Sequence, residues 1–332
     1  MSTVSPVIVL LTAPHDPPPP GLEPLEGRAE VVHVDDKEGL MEAIPSADIL
    51  LVTDFRTAVV REAWPRAERL QWVHATSAGV DALLFPEMIE SEIPLTNARG
   101  VFDRSIAEYV LGLVLLFAKD FRTTLALQAE RVWRHRETER VQGRHALVVG
   151  AGSIGRQIAR LLRAAGLTVD GIASRDRADD PDFDTVHGSA HLLERLPEAD
   201  FVVIAAPLTG ATRGMFNARA FTAMAPTARL INIGRGPIVV TDDLVEALRA
   251  RRIAGAALDV FEEEPLPPDH PLWEMEQVVV SHHMAGDFIG WQAALSAQFI
   301  DNFQRWCDGL PLHNVVDKKR GYVPPEQEHQ ST

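Results

Sequence analysis

The chain opens with short apolar runs separated by helical or turn-forming stretches. Val7–Leu11, Val31–Val34, Ile49–Val52 and Gln71–His74 read as strands. Asp36–Ile44 suits a short helix between them, and Pro17–Pro20 makes a stiff connection after the first strand. Such strand–helix alternation predicts a parallel sheet with helices on both faces. Ser105–Lys119 is then apolar around almost its whole circumference, which predicts a buried helix, capped by Asp103 or Ser105 and covered by another domain or a second copy. A polar segment runs to Arg140, after which the pattern restarts: a strand at His145–Val149, a helix at Ser153–Ala165 and a strand at Thr168–Ala173. Further strands are expected at Phe201–Ala205, Arg229–Asn232, Gly255–Leu258 and Val278–Ser281, with helices between, making a second and larger doubly wound unit. Ile289–Trp306 returns to helix, and the polar tail from Asp317, with Pro324-Pro325, reads as mobile.

A length of 332 residues suits two domains, and 46% hydrophobic with 24% charged residues is an ordinary globular composition. No stretch reaches the roughly 18 apolar residues of a membrane span. The opening MSTVSPVIVLLTAP lacks a basic lead and reads as a first strand rather than a signal peptide. The single cysteine, Cys307, excludes an internal disulfide framework and any cysteine-based zinc site, so the expected compartment is the cytoplasm and no metal is expected. A net charge of −15 makes nucleic acid a poor partner. An anionic ligand would have to be met locally, by helix N-termini and a few placed arginines.

Gly150-Ala-Gly152-Ser153-Ile154-Gly155 follows the strand HALVV and opens a helix that stops at Gly166. In that setting the first glycine permits a tight turn and the second lets backbone approach a pyrophosphate. The third allows close helix–strand packing. The expected ligand is a dinucleotide lying on the helix N-terminus. About 20 residues on, where an NAD site carries Asp or Glu for the ribose 2′-hydroxyl, stand Ser174 and Arg175. That pair lacks the carboxylate that repels a 2′-phosphate and offers donors for one, with Arg177 as a further charge, so NADP(H) is favoured over NAD(H).

Downstream, polar residues fall at or just after apolar strands: Arg235 in Leu230–Gly236, Asp259 and Glu264 in Ala257–Pro265, and His283 in Val280–Gly286. Ligands bind at strand ends in open α/β sheets, so an arginine, a carboxylate and a histidine arriving there can converge. Hydride exchange between a nicotinamide and a 2-hydroxy acid needs a cation for the carboxylate and carbonyl, and a group that moves the hydroxyl proton. A carboxylate beside the histidine would stabilise the imidazolium and fix its tautomer. Singly, Arg235 fits a turn cap, Glu264 a solvated acidic run, and either His282 or His283 a satisfied core residue. Their order behind a dinucleotide loop favours the catalytic reading.

The series HATSAGVD (74–81), TNARGVFDRSIAEYVLG (96–112), VVGAGSIGRQIA (148–159), PLTGATRGMFN (207–217), INIGRGPIV (231–239), AALDVFEEEPLP (256–267) and SHHMAG (281–286) resembles the D-isomer-specific 2-hydroxyacid dehydrogenase family, in particular its glyoxylate/hydroxypyruvate reductase branch. The resemblance implies an α/β fold with two doubly wound parallel-sheet domains. A Rossmann nucleotide domain, residues 105–286, would be inserted in a smaller flavodoxin-like substrate domain, residues 1–104 and 287–332. It implies that Arg235 binds and polarises a small 2-oxo acid, that Glu264 tunes His283, and that His283 is the acid/base. Backbone N–H groups of Ser77, Ala78 and Gly79 would hold the substrate carboxylate. Asp259 and the backbone at Ile233 would hold the nicotinamide, with Pro207 and Thr209 lining the cofactor cleft. The family is commonly dimeric through the nucleotide domain, which would account for the helix at Ser105–Lys119. The chain departs from the family's usual Ser-Pro-His pattern in having His282 at the proline position.

Other readings fit less well. A short-chain dehydrogenase needs Tyr-x-x-x-Lys, but Tyr109 and Tyr322 are followed at that spacing by Leu113 and Glu326. A formate-type enzyme on this fold has glutamine in place of Glu264, whereas phosphite oxidation stays open. An NAD(H)-sensing corepressor is the rival from another class; the intact Arg235, Glu264 and His283 set and the acidic surface weigh against it.

Overall fold

Both units build sheets whose inner strands are buried on both faces. In the first, the expected strands form at β1 (Val7–Leu11), β2 (Glu30–Val34), β3 (Ile49–Val52) and β4 (Trp72–Ala75). A short fifth, β5 (Leu95–Thr96), is too brief to show in the sequence pattern. All pair in parallel, in the order β2-β1-β3-β4-β5. Successive side chains point to opposite faces. Val9, Leu11, Leu50, Val52, Val73 and Ala75 therefore fill one core, while Ile8, Leu10, Ile49, Leu51 and Trp72 enter another. The helix Trp291–Cys307 closes that second core, stacking Phe299 on Trp72 with ring centroids 5.2 Å apart.

The computed structural model describes residues 5–54 and 58–324. They divide into two compact units, Met1–Phe102 with Phe288–Thr332, and Asp103–Asp287. The second unit holds β6 (His145–Val149), β7 (Thr168–Ala173), β8 (Thr185–Gly188), β9 (Phe201–Ile204), β10 (Arg229–Asn232), β11 (Gly255–Leu258) and β12 (Val278–Val280). This all-parallel sheet runs β12-β11-β10-β9-β6-β7-β8. The order reverses at β6, which has β9 on one side and β7 on the other, so the carboxyl end of β6 lies at a topological switch point. The architecture is the expected pair of parallel α/β sheets, the larger of Rossmann type.

Several details differ from the sequence reading. The long apolar helix begins at Asp103 and runs to Ala118, so Asp103 and Ser105 sit inside its first turn rather than capping it. Ile106, Ala107, Val110, Leu113 and Val114 are buried, and the helix packs along Ser153–Ala164 of the same unit. Its own unit thus accounts for the buried face. The polar segment that follows contains a helix, Phe121–Glu130, whose start is capped by the Asp120 side chain accepting from the Thr123 N–H. Residues 317–324 are also more ordered than expected. Asp317 and Tyr322 form an antiparallel bridge, and Val316 and Val323 are buried in the first unit's core. The remainder of the expected mobile tail lies outside the described residues. Among the described residues no helix is long and apolar enough to cross a membrane.

Candidate active site

The glycine loop joins β6 to the helix Ser153–Ala164. Gly150 has φ +112°, and a Cβ there would lie 2.5 Å from the Ala206 nitrogen; one on Gly155 would lie 1.9 Å from the Gly150 carbonyl oxygen. Packing demands both glycines. At Gly152 a Cβ would meet nothing within 4 Å, so the protein's own packing does not require a glycine there. Gly152 is the N-cap, with no side-chain hydrogen bond, and the helix N–H groups beyond it suit an anion. An open cradle at the one glycine expected to face a ligand, above an uncapped helix start, fits a dinucleotide pyrophosphate. Ser153 and Ile154 form the first helical turn.

Past β7, Ser174 and Arg175 are exposed. The neighbouring carboxylate, Asp176, turns toward β8 and accepts from the Gly188 N–H at 2.9 Å; that bond holds it below the usual carboxylate range. Arg177, read from sequence as a spare charge, is committed elsewhere. Both terminal nitrogens donate to the Ala151 carbonyl at 3.1 Å, and Asp180 lies 3.5 Å away. Asp180 and Asp182 also bind Arg156, and Asp182 binds Arg160, so these carboxylates strap the segment after β7 onto the helix that follows the glycine loop.

Backbone-to-backbone packing brings the loops after β9, β10 and β11 together. A Cβ on Gly234 would sit 2.8 Å from the Ala206 carbonyl oxygen, and one on Gly236 only 1.8 Å from the Phe261 carbonyl carbon. The two glycines flanking Arg235 thus let its turn press against the loops on either side. Asn232, not singled out from sequence, braces that turn: its amide donates to the Arg235 carbonyl at 3.2 Å, and its oxygen accepts from the Gly234 N–H at 3.1 Å. Arg235 is half-buried and donates to the Gly234 carbonyl at 2.9 Å. Pro207 and Thr209 follow β9 in a turn held by Thr212, which donates to the Pro207 carbonyl at 2.7 Å and accepts from the Thr209 N–H at 2.8 Å. Ile233 is buried at the end of β10.

After β11, one oxygen of Glu264 accepts from the Phe261 N–H at 3.0 Å and the other pairs with His283 Nδ1 at 2.8 Å. The pair is partly solvated, with side chains 21% and 23% exposed. Of the two adjacent histidines, only His283 carries this ion pair, and His282 is exposed. Asp259 is 3% exposed, and its carboxylate faces the loop Ser281–Ala285. It accepts from Ser281 Oγ at 2.6 Å, the Met284 N–H at 3.0 Å and the Ala285 N–H at 2.9 Å. Among the described residues no cluster of His, Cys, Asp and Glu could hold a metal.

Ser77, Ala78 and Gly79 belong to the first unit. Their carbonyls are spent internally: Ser77 Oγ donates to the Gly79 carbonyl at 2.7 Å, Asn97 to that of Ala78 at 2.6 Å, and the Ala98 N–H to that of Ser77 at 3.0 Å. Among the described residues their N–H groups find no acceptor.

Residues 111–285 match the pattern of the D-isomer specific 2-hydroxyacid dehydrogenase NAD-binding domain. The chain is 32% identical over 330 residues to a glyoxylate reductase of Thermofilum pendens, covering 93% of this chain and 91% of that one. It is 32% identical over 260 residues to glyoxylate/hydroxypyruvate reductase A of Serratia proteamaculans, covering 76% and 82%. It also resembles the crystal structure of an NADPH-dependent glyoxylate/hydroxypyruvate reductase from Sinorhizobium meliloti in complex with NADP and sulfate. That likeness has a TM-score of 0.82 and 30% identity, over 96% of this chain and all of that one.

Proposed function

The chain belongs to the D-isomer-specific 2-hydroxyacid dehydrogenases, enzymes that use a nicotinamide cofactor, and we propose that it reduces glyoxylate, hydroxypyruvate or a similarly small 2-oxo acid with NADPH, as a cytoplasmic homodimer. The observation that carries this reading is the His283–Glu264 pair at 2.8 Å, in the same unit as the Arg235 turn and the glycine loop.

The residues divide the work as follows. The glycine loop at Gly150–Gly155 would hold the reduced nicotinamide cofactor, which would provide the hydride for C2 of the 2-oxo acid. Arg235 holds the substrate carboxylate and draws electron density toward the carbonyl oxygen. His283 delivers the proton to that oxygen from Nε2, because the Glu264 carboxylate, 2.8 Å from Nδ1, occupies the other ring nitrogen and orients the imidazole. The products are the D-2-hydroxy acid and the oxidised cofactor. Ser77, Ala78 and Gly79 are proposed as carboxylate donors, and Ile233, Pro207, Thr209 and Asp259 as the nicotinamide side of the cofactor site.

Support for NADPH comes from the exposed Ser174-Arg175 pair and from the engagement of Asp176 with Gly188, which removes the nearest carboxylate as a rival for the 2′-position. Support for a dimer comes from apolar residues left exposed in the second unit: Phe121, Leu125, Val132 and Trp133, the last 93% exposed. They stand on and just after the helix Phe121–Glu130.

The deciding experiment measures turnover of glyoxylate, hydroxypyruvate, pyruvate and bulkier 2-oxo acids with NADPH and with NADH. His283→Ala should lose about 10²–10⁴-fold in kcat while still binding cofactor. A variant that turns over near the wild-type rate would remove His283 from the mechanism. Arg175→Ala should lower the NADPH/NADH preference about tenfold, the worth of one charge-assisted contact. An unchanged ratio would take Arg175 out of cofactor selection.

A further inference from the structure

His283 has φ +57°, a left-handed conformation that an L residue with a side chain adopts only when its surroundings impose it. Asp259 imposes it here. Its carbonyl accepts from the His283 N–H at 2.8 Å, and its carboxylate accepts from the next two N–H groups, Met284 and Ala285, at 3.0 and 2.9 Å. Three successive N–H groups thus wrap one buried aspartate in a concave nest. The aspartate is held in turn. Tyr109 donates from Oη to Ser281 Oγ at 2.6 Å, which directs the single serine hydrogen onto Asp259 Oδ1, also at 2.6 Å. Burial and the nearby Asp259 charge push the Tyr109 hydroxyl up from its ordinary value, keeping it a donor at any working pH. Tyr109 stands on the helix Asp103–Ala118, which packs along the helix that the glycine loop opens.

We propose that Tyr109 is a positioning residue for the reduction: through Ser281 and Asp259, its hydroxyl holds the loop that presents His283. The inference rests on His283 being the proton donor. Tyr109 and Ser281 would then act as one chain. Removing either end frees the serine hydroxyl or deletes it, and the Asp259 carboxylate loses a directed donor in a site where water does not easily replace it.

The test is a double-variant cycle on the full-length enzyme, reading kcat, the KM for NADPH and the melting temperature. Tyr109→Phe should lower kcat about fivefold and Ser281→Ala about tenfold, with the KM for NADPH within about twofold of wild type. The double variant should be no slower than Ser281→Ala alone, because the two share one path. Ser281→Thr keeps the hydroxyl and should hold kcat within about twofold of wild type. Multiplying losses in the double variant, wild-type kcat in Tyr109→Phe with only a lowered melting temperature, or a threonine variant as slow as the alanine would each overturn the proposal. His283→Ala is measured alongside. If it stays active, the assignment of the proton donor fails; if it is inactive while Tyr109→Phe is unaffected, only the positioning role fails.

Discussion

His74, inside β4 of the first unit, and His283, in the loop after β12 of the second, both lie toward the carboxyl ends of parallel strands. Their surroundings allow opposite chemistry. His74 is 0% exposed and sits against the Trp72 and Phe299 rings, at 5.9 and 5.4 Å; its Nδ1 meets Thr96 Oγ1 at 2.7 Å. Among the described residues its Nε2 has no hydrogen-bond partner. Burial without a compensating carboxylate pushes its pKa down to about 3, so it stays neutral. His283 keeps contact with water and has the Glu264 carboxylate on its ring. Tertiary surroundings, not residue type, separate a structural histidine from one fit for acid/base work.

The contrast can be broken at the proposed catalytic end. Glu264→Gln keeps the size of the side chain but removes the charge that distinguishes His283 from His74. Its kcat should fall about 100-fold while fluorescence titration finds cofactor affinity unchanged. Wild-type kcat in that variant would mean that the carboxylate is irrelevant to the histidine's task.

A smaller effect tests the structural end. His74 binds its proton less readily when folded than the ordinary 6.5, so above that value it costs nothing. As pH falls from about 6.5 toward about 3, the unfolded chain takes up a proton that the folded one refuses, and stability drops, by a few kcal/mol at most. Urea midpoints followed between pH 7 and 4 should show this slope in the wild type and a shallower one in His74→Asn. Parallel slopes would mean that His74 is solvated in solution.

Much of this organisation was legible along the chain. Continuous apolar runs such as Ile49–Val52 can be satisfied only by strands covered on both faces, and β1, β3, β6, β7, β10 and β11 have the expected limits. The glycine spacing at 150–155 is local only in part: Gly155 answers a clash with Gly150 inside one strand–turn–helix, whereas Gly150 makes room for Ala205 and Ala206 after β9. Short or mixed elements were harder to see. β5 has two residues, β8 is TVHG, and the helix FRTTLALQAE carries no strong apolar stripe, so each depends on neighbours distant in sequence.

Sequence by itself determined the element types, the order of the polar residues behind the glycine loop, and the absence of a carboxylate at Ser174-Arg175, because these depend on residue identity and short-range periodicity. Only the tertiary structure decided which groups meet. It gave Glu264 to His283 rather than His282, drew Arg177 onto the glycine loop, turned Asp259 into the nest beneath the histidine, and joined Tyr109 to Ser281 across most of the second unit's chain length. Most of those pairings link loops after different strands, and Tyr109 reaches Ser281 from a helix; close backbone packing, as at Gly234 and Gly236, brings neighbouring loops together.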